Sequence, residues 1–322
     1  MNLKNKINLA YFGSPDFSAS FLDKVLNDIN LKKLIEIKLV FTQPDRPVGR
    51  KQILTETPVK TVAKKYGIEI FEINNFKSFK NLKLKIKNFD LCLVYAFSQI
   101  IPEDLLKIPK LGFWNIHPSL LPKYRGPSPI AYPLIFGQKE TGVTIIKMDE
   151  KIDHGPIITQ EKSKIEDTDR RPDLEKKLTT LGFNLFKKTV LNKDSLYIKQ
   201  YKEQNHKAAT YSKLLKKQDG FIPLSTLKKA LKNEPLNSDE LPSILREMED
   251  WKLEIGDSSQ IIYNYFRGLH PWPGIWTLLP NGKRLKINEI KIENGKLKII
   301  QVQLEGKKEV DFKTFNQAYK VF

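Results

Sequence analysis

The chain has 322 residues, 40% of them hydrophobic, and its 55 Lys plus Arg against 37 Asp plus Glu leave a net charge of +18. That length predicts two domains, with interior enough for one large core and one small one. No apolar run approaches the ~20 residues of a membrane span, the stretch MNLKNKINLAYFG lacks a signal-peptide core, and the lone Cys92 excludes an internal disulfide, which together predict a soluble, cytoplasmic protein.

Residues 1 to about 190 alternate strand and helix. Ile7–Phe12 reads as a strand, 13–16 as a turn, and a helix follows to Leu26. Ile35–Thr42 is a second strand. Its continuation to Thr57 is long for a βα connection and carries Arg46, Arg50 and Lys51. It reads either as a solvated loop or as a basic finger for nucleic acid. Thr57 suits an N-cap and Pro58 the first position of a helix that stops at Gly67. Further strands are expected at 68–71, 90–95, 113–117, 141–148 and 157–161. A helix is expected over 172–191, with Leu174, Leu178, Leu181 and Leu185 along one stripe. This rhythm predicts an α/β fold with a Rossmann-like, mostly parallel sheet covered on both faces. No GxGxxG follows the first strand, so a dinucleotide is not expected.

From Asn192 the periodicity lapses, and 192–207 reads as a basic linker. Residues 208–322 form a second unit, with Lys213, Lys216 and Lys217 near its start. After the rigid turn His270-Pro271-Trp272-Pro273-Gly274 come short strands at 275–279, 284–292, 296–304 and 308–312, with Asn-Gly turns between. That pattern predicts a smaller OB-like β-barrel, a common nucleic-acid platform. The positive charge fits such a partner, although a lysine-rich proteome would produce the same excess. The four histidines are scattered and no metal site is expected.

The densest chemistry lies in 113–129, FWNIHPSLLPKYRGPSP. Asn115 and His117 are two apart on a strand, so both side chains look to one face, at the carboxyl end where α/β sheets bind ligands. An amide and an imidazole there either hold a reacting carbonyl, one steadying an oxyanion and the other handling protons, or are satisfied polar groups at a strand end. Tyr95-Ala96-Phe97-Ser98 ends a strand at the same edge. It suits a flat heteroaromatic ligand, or plain core packing. Asp153 and His154 sit in a Gly-Pro turn, and spacing alone does not bring Asp153 to His117.

Strings at 12–17, 41–50, 57–60, 115–126, 141–145, 152–155, 210–211 and 271–273 recur in a familiar order. Along nearly the whole chain they resemble the folate-dependent formyltransferases, and within them the methionyl-tRNA formyltransferase family. The resemblance implies a formyl-transfer domain over 1–191, a linker over 192–207 and an OB-like tRNA-binding domain over 208–322. It implies transfer of a formyl group from 10-formyltetrahydrofolate to the free α-amine of initiator methionyl-tRNA by a metal-free monomer. It carries over Asn115, His117 and Asp153 as the catalytic trio, with Asp153 orienting His117. Ser119, Leu120, Leu121 and Pro122, with Tyr95 and Phe97, become the folate site. Arg46, Arg50, Lys51, Lys213, Lys216 and Lys217 become tRNA contacts, Arg50 foremost. The chain departs from the family pattern at 126–129, at 49–52 and in a long charged stretch over 227–258. Two rivals stand beside this reading: a formyltransferase for an amino-sugar nucleotide or glycinamide ribonucleotide, and an inactive tRNA-binding homologue.

Overall fold

The computed structural model describes residues 6–49, 51–74, 82–192, 201–247 and 257–322. The chain divides into two compact units. One comprises 1–129, 141–164 and 175–212, the other 130–140, 165–174 and 213–322.

The first unit contains strands β1 (Ile7–Phe12), β2 (Ile35–Thr42), β3 (Arg46–Val48), β4 (Ile53–Thr55), β5 (Glu69–Glu72), β6 (Leu91–Val94), β7 (Phe113–His117), β8 (Glu140–Lys147) and β9 (Ile157–Lys164). Seven of them form one sheet in the order β5-β2-β1-β6-β7-β8-β9. The first five run parallel, and β8 is antiparallel to β7. Every residue of β6 is buried, as expected of a central parallel strand covered on both faces. Phe12, Phe41, Phe97 and Phe113 meet in the core on one side, with Phe12 stacked on Phe41 at 4.2 Å between ring centres. Burying one such side chain is worth roughly 1.5–3 kcal/mol. On the expected stripe of the helix Arg171–Leu191, Leu174, Leu178 and Leu185 are buried and Leu181 is half-buried. The helix Pro58–Lys65 begins as its sequence predicts, with the Thr57 side chain accepting from Lys60 N at 3.2 Å. Chain order reverses between β1 and β6. That switch point lies one strand away from β7, and in such sheets ligands bind at the carboxyl ends of the strands beside it.

The long connection after β2 is neither loose nor helical. It folds into a two-stranded hairpin, β3 paired antiparallel with β4, and all six of its strand residues are exposed. Arg50, which falls between the two strands in sequence, lies outside the described residues.

The second unit holds β10 (Ile275–Leu278), β11 (Arg284–Glu293), β12 (Lys296–Leu304) and β13 (Glu309–Asp311), an antiparallel sheet in chain order. Asn294 and Gly295 both have positive φ, the backbone that a tight two-residue hairpin requires. A fifth segment adds to the β10 edge through a parallel bridge between Phe221 and Trp276. The helix Ser258–Leu269 packs against this sheet and against the short helix Ala131–Ile135. The charged stretch is helical at Leu224–Lys232 and Ser243–Arg246, and 248–256 lie outside the described residues. No helix among the described residues is long and apolar enough to cross a membrane.

Candidate active site

Asn115 and His117 stand at the carboxyl end of β7 and share a face, as the strand period requires. Asp153 reaches them from the turn after β8. Its Oδ1 accepts from Asn115 Nδ2 at 3.0 Å and lies 3.5 Å from His117 Nδ1. Its Oδ2 accepts from the backbone N–H of Gly126 at 2.7 Å. Two potential donors thus point at one carboxylate oxygen, and a backbone donor holds the other. The far nitrogen of His117, Nε2, lies 3.0 Å from Tyr124 O. A carbonyl only accepts, so Nε2 carries a proton and Nδ1 is the atom turned to Asp153. His117 is buried, and the Asp153 side chain is 11% exposed. Sequence spacing left this approach open; the turn's geometry makes it.

Two glycines make the arrangement possible. Gly126 has φ +104, and a Cβ there would lie 2.6 Å from Ser212 O. At Gly155 a Cβ would lie 1.9 Å from Lys147 O. Neither position accepts a side chain without moving the turn or the loop that carries it.

The segment 201–212, expected as linker and the start of the next unit, instead laces the site together. Lys202 exchanges both backbone hydrogen bonds with Ile157, at 2.7 and 3.1 Å. Gln204 Nε2 donates to Asp153 O at 2.9 Å and to Gly155 O at 2.7 Å. Gln204 Oε1 accepts from Arg125 Nε and Nη2 at 3.2 and 2.6 Å. Thr210 Oγ1 accepts from Tyr124 N at 2.9 Å, Thr210 O from Arg125 N at 2.8 Å, and Arg125 O from Ser212 N at 2.7 Å. Arg125 Nη2 also donates to His206 Nδ1 at 2.9 Å. Guanidinium cannot accept, so His206 Nδ1 does, and that ring is neutral. Desolvation, followed by the neighbouring His154 and Arg125, lowers the His206 pKa. The His206 ring stacks on His154 with centres 3.9 Å apart, and His154 Nδ1 donates to Asp149 Oδ2 at 2.6 Å. Arg125 stands inside the motif and its neighbour Gly126 hints at tight packing. Gln204 has no sequence signal at all.

The residues read as a folate site divide. Ser119 is buried, its Oγ donating to Lys123 O at 2.6 Å and its carbonyl accepting from Thr144 Oγ1 at 2.7 Å. Leu121 N donates to Thr144 Oγ1 at 3.1 Å, Leu121 O accepts from Gln160, and the Leu121-Pro122 bond is cis. Leu120 and Pro122 are half-buried. The side chains of Tyr95 and Phe97 face the core. Tyr95 OH is paired with Thr179 Oγ1 at 3.1 Å, and Phe97 packs edge-on to Phe12. What this strand end presents is backbone: Ala96 and Ser98 both have positive φ, and Ser98 is exposed. Its neighbour across the sheet is β7, in the register Val94 to Asn115.

Arg46 and Lys51 are exposed on the β3–β4 hairpin of the first unit. In the second unit Lys216 and Lys217 are exposed, while Lys213 Nζ pairs with Glu247 Oε2 at 2.6 Å.

Two family models match the chain: Formyl transferase over residues 7–190, and Formyl transferase, C-terminal domain, over 247–296. A methionyl-tRNA formyltransferase of Caldicellulosiruptor saccharolyticus is 34% identical over 98% of this chain and 98% of its own length. One of Halalkalibacterium halodurans is 39% identical over 87% of this chain and 77% of its own. Among solved structures, a 4-N formyltransferase from Francisella tularensis shares the fold with a TM-score of 0.59 at 19% identity, over 89% of this chain and 98% of that one. On this match in sequence and fold, the chain belongs to the methionyl-tRNA formyltransferase family.

Proposed function

We propose that this chain transfers the formyl group of 10-formyltetrahydrofolate to the α-amine of methionine on initiator methionyl-tRNA. The observation that carries the reading is the convergence of Asn115 and His117 on a single oxygen of Asp153. It occurs in a chain matched nearly end to end by relatives named methionyl-tRNA formyltransferase.

The amine attacks the formyl carbon, a C–N bond forms, and the carbonyl oxygen gains negative charge. Asn115 Nδ2 and the His117 ring are the donors we assign to that oxyanion, and one such donor is typically worth about 3 kcal/mol in the barrier. Asp153 orients His117 and is the carboxylate placed to receive the proton the amine sheds. The intermediate then collapses: the bond from the formyl carbon to the folate nitrogen breaks, the carbonyl re-forms, and that nitrogen leaves as a neutral amine carrying the proton that Asp153 received. Direct transfer needs no covalent intermediate on the enzyme, so no nucleophilic side chain is assigned.

The strand-end backbone fits the folate. Two left-handed residues, Ala96 and Ser98, turn the chain beside Asn115, and a pterin's edge is read by backbone donors and acceptors. Leu120, Leu121 and Pro122 supply apolar contact and Ser119 fixes their loop, while Tyr95 and Phe97 contribute through main chain. For the tRNA we assign Arg46 and Lys51 on the hairpin, Arg50 between them in sequence, and Lys213, Lys216 and Lys217 at the start of the second unit. Pairing with Glu247 weakens the case for Lys213. The proposed division is formyl transfer over 1–191 and tRNA binding over 208–322, with residues of the intervening linker, 192–207, also serving the transfer site through Gln204, in a cytoplasmic, metal-free monomer.

The test is formyl transfer to methionyl initiator tRNA, with uncharged tRNA and an amino-sugar nucleotide as parallel acceptors. Activity on the charged tRNA alone, sharply reduced in Arg50→Ala, is the expected result. Activity on the sugar nucleotide, or tight tRNA binding with no transfer to any acceptor, overturns the reading.

A further inference from the structure

We infer that Gln204 is a positioning residue of the transfer reaction. Its amide holds the Asp153 turn by two main-chain carbonyls, and Arg125 fixes which way that amide faces. The inference rests on the reading of Asn115, His117 and Asp153 given above.

Asp153 has φ +49, a conformation that costs a non-glycine residue free energy and that the surroundings must maintain. Its side chain is held at both oxygens, but a carboxylate placed for His117 also needs a fixed backbone. Gln204 supplies that. One amide hydrogen goes to Asp153 O at 2.9 Å and the other to Gly155 O at 2.7 Å, so the clamp spans the bend of the turn. Gln204 is only 5% exposed, which keeps water from competing for those carbonyls. An amide can usually face two ways, but here chemistry permits one. Arg125 Nε and Nη2 only donate, so they require Oε1; the carbonyls only accept, so they require Nε2.

Arg125 is itself immobilised by backbone bonds to Thr210 and Ser212. The next residue, Gly126, donates directly to Asp153 Oδ2. Two consecutive residues therefore grip Asp153 from both ends, Gly126 at the carboxylate and Arg125, through Gln204, at the carbonyl. Lys202 anchors the segment just before Gln204 by its paired bonds to Ile157. Displacements near 1 Å in a catalytic group can cost about 10²-fold in rate, and this clamp is what opposes such a displacement at Asp153.

Gln204→Glu separates positioning from simple space-filling. It keeps the side chain's size and gives Arg125 an ionic partner, yet turns both amide donors into lone pairs facing two carbonyls. The expected result is a fall in kcat of about 10- to 100-fold, with KM for the formyl donor and the charged tRNA within about twofold and a cooperative melt retained. The ¹⁵N resonance of His117 Nδ1 shifts as Asp153 moves. If Gln204 merely covers Arg125, Glu serves as well: kcat within twofold of wild type and an unmoved His117 resonance overturn the inference. Should Gln204→Glu fail to fold, Arg125→Lys, which loses the fork to Oε1, must give the same split between kcat and KM, and its absence is equally fatal. Asp153→Asn is measured alongside. Full activity in Asp153→Asn refutes the catalytic trio itself, whereas loss there with full activity in Gln204→Glu refutes only the positioning role.

Discussion

Asp153→Asn is the sharpest probe of the site because it changes chemistry and little else. Asn occupies left-handed backbone as readily as Asp, so φ +49 is kept. The carboxylate has acceptors on both sides: Oδ2 takes the Gly126 N–H at 2.7 Å, and Oδ1 takes Asn115 Nδ2 at 3.0 Å and faces His117 Nδ1 at 3.5 Å. An amide has one acceptor. Whichever way it turns, an N–H₂ meets either the Gly126 donor or the Asn115 and His117 donors. A hydrogen bond to a charged group is worth about 1.5–3 kcal/mol net, so a stability loss of about 1–3 kcal/mol is expected. His117 also loses the negative charge that orients it. Removing one such preorganised group typically costs about 10²–10³ in kcat, and that loss is expected here with little change in either KM. The assay is single-turnover formyl transfer at saturating enzyme, paired with a thermal melt. A variant that melts lower, showing that the network was disturbed, yet transfers within threefold of the wild-type rate would refute the role given to Asp153.

Three further outcomes follow from other contacts. In Gly155→Ala the new methyl would sit 1.9 Å from Lys147 O, so the turn must move; kcat is expected to drop at least tenfold, and a crystal structure should show Asp153 displaced, with an unmoved turn contradicting the steric argument. Lys60 Nζ bridges Asp45 Oδ1 at 2.7 Å and Glu72 Oε1 at 2.5 Å, and those bonds, Asp45 first, raise its pKa well above the usual lysine value. Because Asp45 roots the β3–β4 hairpin, Lys60→Met should raise KM for charged tRNA several-fold and leave kcat unchanged; an unaltered KM would detach the hairpin's root from tRNA binding. The depressed His206 pKa fixes a sign: the unfolded chain takes up this proton first as pH falls, so the site's stability is intact above about 6.5 and is lost progressively below it. Chemical denaturation from pH 7.5 to 5 should therefore show a shallower acid loss in His206→Gln than in wild type, and identical slopes would remove His206 from the account.

The parts of this fold that could be read from sequence are those specified by local pattern. The strands Ile7–Phe12, Ile35–Thr42 and Phe113–His117 fall where apolar runs predicted them, and Thr57-Pro58 caps its helix as written. Asn115 and His117 share a face because a period of two leaves no other choice. The hairpin nature of 46–55 was not visible, since its strands are short, exposed on every residue and interrupted by Pro47. At Tyr95 and Phe97 the sequence allows a flat ligand lying against backbone or plain core packing; both rings pack inward, and the positive φ of Ala96 and Ser98 turns backbone toward the edge. Arg125 shows the limit most plainly. It stands in a run of basic and proline residues, and arginines are mostly exposed, yet it is 2% exposed. A buried guanidinium is tolerable only when its donors are satisfied, and Gln204, 79 residues away, satisfies two of them. Hydrophobic periodicity reports which face of an element is covered; it carries nothing about single polar pairs between distant loops. The candidate site is made of such pairs: Gly126 with Asp153, Arg125 with Gln204, Tyr124 with Thr210. Its precision therefore comes in large part from 201–212, a stretch whose sequence predicted the end of a linker and the start of the next unit and no part in this site. A chain that keeps the Asn115, His117 and Asp153 motifs but replaces Gln204 by an apolar residue would keep the family's signature while losing the hold on its central carboxylate.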